Sequence, residues 1–120
     1  MDIGYNWIAS GVRLKTQKTR QVGDVTLRKT FGRNYHRWVG RLSDFAVIFT
    51  PTLGRYNGKV NGWKWSTQVP TICGHYANGR ERYLGGSANS LHNAVVCASA
   101  QAVQARRIAN GLPALTDYED

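Results

Sequence analysis

Acid–base, nucleophilic or metal chemistry in this chain would have to come from three histidines, two cysteines and seven carboxylates. The carboxylates are poorly placed for paired work. Asp117, Glu119 and Asp120 crowd the carboxy terminus and Asp2 sits at the start, leaving Asp24, Asp44 and Glu81 spread along the middle. Glycosidases and two-metal phosphodiesterases need carboxylates gathered around one reacting bond, so hydrolysis on that plan is not expected. Cys73-Gly74-His75, with His92 and Cys97, offers the thiolate and imidazole that zinc prefers. The spacing opposes it, because a Cys-x-His pair is tighter than the usual two-residue gap and His92 and Cys97 would stand about 140° apart on a helix. A Cys–His nucleophilic pair meets the same objection, and both cysteines read more simply as small core residues. There is no Gly-x-Ser-x-Gly, no Walker-type loop and no Gly-x-Gly-x-x-Gly fingerprint. No catalytic residue, metal or cofactor is expected.

The chemistry that the chain does offer is cationic. Its formal charge is +9. Residues 1–64 hold twelve Lys or Arg against Asp2, Asp24 and Asp44, whereas residues 65–120 balance four arginines with four carboxylates, so the whole excess lies in the first half. Such a concentration attracts phosphate-bearing ligands or an acidic protein surface, and its plainest alternative is a solvated face that aids solubility. Aromatic residues interleave with the cations. Arg28, Lys29, Arg33, Tyr35, Arg37, Trp38 and Arg41 fall on one expected hairpin, Lys59, Trp63, Lys64 and Trp65 on another, and Arg13, Lys15, Lys18 and Arg20 crowd an upstream arm. Cations neutralise phosphates and aromatic faces stack bases, so this set is the expected nucleic-acid or phosphate surface. Alternatively, Trp38, Trp63 and Trp65 are core residues under a helix. A secondary anion site is expected where Gly86 and Ser87 lead toward a helix amino terminus, with Arg80 and Arg82 nearby. A flexible turn before a capped helix explains the same residues.

Those side chains need elements to position them. Ile3, Tyr5 and Trp7 alternate as in a short strand or docking arm, and Arg13 to Gln21 reads as an exposed basic loop or arm, so residues 1–21 are taken together as an arm or short strand. Val25 to Phe31 and Tyr35 to Leu42 alternate with period two and flank Gly32-Arg33-Asn34, which predicts a hairpin. Phe45 to Phe49 is a continuous apolar run suited to a central strand, with Pro51 ending it or placing it near an edge. Asn57-Gly58, Asn61-Gly62 and Asn78-Gly79 read as turns. Between them Trp63, Trp65, Thr67 and Val69 share one strand face, and Ile72 to Ala77 pairs with Arg80 to Leu84 as a second hairpin. A helix starts at Ser90 as N-cap and stops at Asn110-Gly111 before Pro113. Its buried stripe is expected to be Leu91, Val95, Ala98, Ala102, Ala105 and Ala109, with Asn93, Gln104 and Arg107 in water and Arg106 snorkelling at the helix end.

The expected fold is therefore one α+β domain over residues 1–120: an antiparallel sheet of five to six short strands packed against one carboxy-terminal helix, with residues 114–120 as a loose acidic tail. A chain of 120 residues with 13 aromatics can bury a core of its own. No apolar run is long enough for a membrane span, and the first residues lack the pattern of a secretory signal, so a cytoplasmic location is expected, a host cytoplasm if the gene is a phage's. In size, charge and lack of catalytic signatures the chain resembles small accessory proteins of bacteriophages and mobile elements, including inhibitors of bacterial defence systems. That resemblance covers no specific motif. Two kinds of function follow: a noncatalytic protein that binds nucleic acid or another phosphate-bearing ligand, or an anti-defence inhibitor that binds an enzyme's acidic surface or, as an oligomer, sequesters a nucleotide.

Overall fold

Strand alternation and two tight turns build the first half of the molecule. The computed structural model describes residues 18–31 and 36–115. Strands β1 (Thr19–Val22), β2 (Val25–Phe31), β3 (His36–Leu42), β4 (Phe45–Leu53) and β5 (Val60–Thr67) follow one another as an antiparallel meander. Gly23-Asp24 and Ser43-Asp44 close the β1–β2 and β3–β4 hairpins, with positive φ of 58° at Gly23 and 52° at Ser43. Next come β6 (Ile72–His75) and β7 (Glu81–Tyr83), which form a separate two-stranded sheet, then β8 (Gly85–Ala88) and the helix α1 (Leu91–Ala109). The large sheet has six strands in the order β1-β2-β3-β4-β5-β8 and is antiparallel throughout. With one helix against it, the fold is the α+β arrangement that the sequence predicts.

Parity decides which side chains meet the helix. Leu27, Gly40 and Val47 are register partners, as are Trp38, Phe49 and Trp65. Leu27, Val47, Phe49 and Trp65 are buried, so these rows mark the helix side of the sheet. From α1 the core receives Leu91, Ala94, Val95, Ala98, Ala102 and Ala105, mostly alanines, while the bulk comes from the sheet and from Cys73 and Leu84. Small side chains let the helix axis approach the sheet closely, and large rings opposite them fill the layer. Ser90 caps the helix, its hydroxyl accepting from Asn93 N–H at 3.1 Å. At the other end the chain leaves the helix through Gly111, at φ 80°, with Leu112 N–H bonded to the Arg107 carbonyl.

Several expectations need correction. Thr19 to Gln21, read as part of a loop or arm, pair with β2. Asn61-Gly62 is no turn: it lies within β5, and Thr52 pairs with Gly62 while Leu53 pairs with Val60, leaving Asn61 as the extra residue of a bulge. Gly85-Gly86-Ser87 is strand, not a flexible break. Val69 lies beyond the end of β5 and is exposed. Ala109 is exposed, whereas Ala94 and Gln101 join the buried face. Cys73 is buried, but Cys97 lies on the exposed side of α1. Gln104 and Arg107, expected in water, are half-buried and tie down the carboxy-terminal segment: Arg107 Nε donates to the Pro113 carbonyl at 3.0 Å and Gln104 Oε1 accepts from Leu115 N–H at 2.6 Å. Residues 114 and 115 are thus part of the fold rather than of a loose tail. The expected features at residues 1–17, 32–35 and 116–120 lie outside the described residues.

Candidate phosphate-binding face

None of the six strands of the large sheet contains Asp or Glu, and together they carry Arg20, Arg28, Lys29, Arg37, Arg41 and Lys64. The pairing divides these cations between the two faces. Leu27 and Val39's neighbours Trp38 and Gly40 face the helix side, so Arg28, Arg37 and Arg41 lie on the opposite face. Lys64 pairs with Thr50, between the core-facing pairs Phe49–Trp65 and Pro51–Trp63, and therefore joins them. Arg28, Arg41 and Lys64 are exposed and Arg37 is half-buried.

Helix α1 packs on the other side, and among the described residues no helix covers this face. The cations stand in a field of small and β-branched residues, with Val39 beside Ile48, Thr50 beside Lys64, and Ser66 and Ser87 beyond. From the usual strand geometry, Arg37 and Arg41 are roughly 13 Å apart along β3, Arg28 lies between their levels one strand over, and Lys64 is roughly 10 Å from Arg37 across two strands. Long cationic side chains on this patch raise a positive potential that no carboxylate of the six strands offsets. Both nearby acids of the sheet turns, Asp24 and Asp44, lie at the end away from Lys64, and Asp44 is engaged by Arg106 at 3.4 Å.

The described tryptophans are elsewhere. Trp38, Trp63 and Trp65 all point to the helix side, so the expected interleaving of cations and rings is split between two faces. Trp65 is 5 % exposed, and its indole N–H donates to Gln101 Oε1 at 2.8 Å. Lys29 shares the helix side with Trp38, its ammonium 5.9 Å from the ring centroid. Arg20 lies on that side too, paired with Leu27, and Lys18 extends the ladder through its carbonyl to Lys29 N–H. Arg13, Lys15 and Arg33 lie outside the described residues.

The secondary anion site is not assembled. Gly86 and Ser87, as neighbours on a strand, face opposite ways. Gly86 lies under the Trp65 ring, where a Cβ would come within 2.7 Å of Cζ2, while Ser87 pairs with Lys64 and so belongs to the basic face. Arg82 is held in the small sheet, donating to the Gly85 carbonyl at 3.3 Å with its guanidinium 6.0 Å from the Tyr76 ring. Arg80 is exposed beside the Asn78-Gly79 turn. Nearby, Tyr83 donates to Glu81 at 2.9 Å, and that hydrogen bond and the carboxylate's charge hold the phenol above its ordinary pKa. Among the described residues no three His, Cys, Asp or Glu side chains gather as metal ligands would. A shallow cavity of about 240 Å³ between Asp44, Phe45, Ala46, Thr67 and Val69 contains no cation and no nucleophilic pair.

Sequence reasoning misses two features. Gln101 is buried at the junction of α1, β5 and β8, accepting from Trp65 and from Gly85 N–H at 3.0 Å and donating to the Gly85 carbonyl at 3.1 Å. The signal was a polar residue within the apolar stripe. The other is the pair Arg55 and Tyr56 in the β4–β5 loop, both exposed, Tyr56 to 94 %, beside the exposed Lys59 that the sequence did single out. Comparison with family models, with curated proteins and with solved structures finds no match.

Proposed function

We propose that this protein binds phosphate-bearing ligands, most simply nucleic acid, on the face of the large sheet that the helix leaves uncovered, and that it does so without catalysis. The observation that supports this reading is the convergence of Arg28, Arg37, Arg41 and Lys64 on one open face of a sheet whose six strands hold no carboxylate. Folding brings Lys64 onto the same face as three arginines of one hairpin. The hydroxyls of Thr50, Ser66 and Ser87 lie on the same face and add neutral donors of the kind that accompany Lys and Arg at phosphates. No helix among the described residues is long and apolar enough to cross a membrane.

A pair of charge-matched variants tests the assignment. R28A/R41A removes two exposed cations from the face, and R80A/R106A removes two from elsewhere. With labelled DNA and RNA oligonucleotides at constant salt, the first variant should bind at least about tenfold more weakly than the second, since each lost phosphate contact removes a share of the electrostatic free energy. Equal losses would mean that overall charge, not this face, drives association. If neither variant differs from the wild type, the ligand is not held by these cations.

A further inference from the structure

Among the described residues the basic face has no aromatic side chain, but an aromatic ring stands exposed just beyond its edge. Residues 54–59 join β4 to β5 as Gly54-Arg55-Tyr56-Asn57-Gly58-Lys59. This loop closes on itself through Gly54 N–H to the Lys59 carbonyl at 2.6 Å, Gly58 N–H to the Gly54 carbonyl at 3.1 Å and Lys59 N–H to Asn57 Oδ1 at 2.9 Å. Gly58 supplies the positive φ of 67° that the closure requires. The backbone is therefore organised before any ligand arrives, and Tyr56 is presented at its tip.

Tyr56 contributes nothing to the core, being 94 % exposed. The Arg55 guanidinium lies 5.8 Å from its ring centroid. That contact engages the ring without enclosing it, so aromatic surface remains open to solvent. Arg55 and Lys59 flank it and the loop contains no acid. The loop also leaves the sheet at the Lys64 end: β5 runs from Val60 through Lys64, and Thr50, the partner of Lys64, is three residues before Leu53. Cationic charge thus continues from the sheet face to Lys59 and Arg55.

From this arrangement we infer that the β4–β5 loop is a second contact for nucleic acid, in which Tyr56 stacks on an unpaired base while Arg55 and Lys59 hold the flanking phosphates. The ligand class is therefore a single strand, or an unpaired segment of a folded one. Paired bases in a duplex are stacked on one another and offer no free ring face, whereas an unpaired base gains by stacking on an aromatic side chain. This inference rests on the phosphate-binding reading of the sheet face and adds to it the form of the nucleic acid.

The test measures fluorescence anisotropy of labelled 20-nucleotide single strands of DNA and of RNA, and of the corresponding duplexes, with wild type, Y56A, Y56F and Y56W. Wild type should favour single strands. Y56A should weaken single-strand binding by about 5- to 150-fold, the range expected for loss of one stacked base. Y56F and Y56W should keep most of the affinity, because the ring rather than the hydroxyl does the stacking, and duplex binding should change little in all three. Tyr56 is outside the core, so an unchanged melting temperature should accompany the loss. Single-strand binding that is indifferent to Y56A, or a wild type that prefers duplexes, overturns the inference. The R28A/R41A variant keeps the two readings separate: if it weakens every ligand while Y56A weakens none, the sheet face stands and the loop assignment falls. If R28A/R41A weakens none, the reading of the sheet face fails.

Discussion

At the scale of single residues, two positions shape the junction around Trp65, one on the helix and one on the edge strand β8. Gln101 satisfies both backbone groups of Gly85 and the indole N–H of Trp65. Replacing it by Leu keeps the volume but leaves the Trp65 indole N–H and the Gly85 N–H without these partners at the buried junction, while the Gly85 carbonyl keeps Arg82. Unsatisfied polar groups cost roughly 1–3 kcal/mol each when buried, and Gly85 is half-buried, so Q101L should lose about 3 kcal/mol in urea unfolding. A loss under about 1 kcal/mol would show that water replaces the amide. Gly86 is a different case. A Cβ there would meet the Trp65 ring at 2.7 Å and 3.0 Å, a rigid and buried group that cannot swing aside, so G86A should destabilise by about 1–3 kcal/mol. The glycine pair looked like loop in the sequence because glycine weakens a strand. Its real reason is a tryptophan two strands' worth of sequence away, which no local pattern reveals.

At the scale of elements, boundaries set by backbone chemistry were legible. Ser90 and Asn110-Gly111 delimit α1 as read, because capping is local. S90A should therefore cost about 1 kcal/mol in equilibrium unfolding, whereas D44N, which breaks an ion pair whose side chains are 57 % and 64 % exposed, should change stability by less than about 0.5 kcal/mol. Reversal of that order would mean that the β3–β4 turn is anchored through Asp44. Alternation with period two marked both strands of the β2–β3 hairpin, and the register puts Arg37, Val39 and Arg41 on the face opposite Trp38, Gly40 and Leu42. Asn61-Gly62 misled, because the dipeptide that favours a hairpin turn also suits a bulge. Which one forms depends on the β4 partner residues Thr52 and Leu53, and so on long-range register.

At the scale of the molecule, the sequence showed how much charge there is and in which half, but not on which surface. Arg28, Arg37 and Arg41 read as one group because they share a hairpin. That Lys64 joins them, that Lys29 does not, and that Trp38 and Trp65 turn away follow from sheet order and from the side on which the helix packs. Tyr56 escaped notice because nothing local separates an exposed ring from a buried one. The central claim is that the cations of the helix-free face contact phosphates, and the measurement that addresses it most directly is the salt dependence of nucleic-acid affinity. In a plot of log affinity against log salt for one single-stranded oligonucleotide, R28A/R41A should show a slope shallower than wild type by about 1.4, from roughly 0.7 per phosphate contact, with R80A/R106A close to wild type. A slope for R28A/R41A equal to that of wild type would contradict the account.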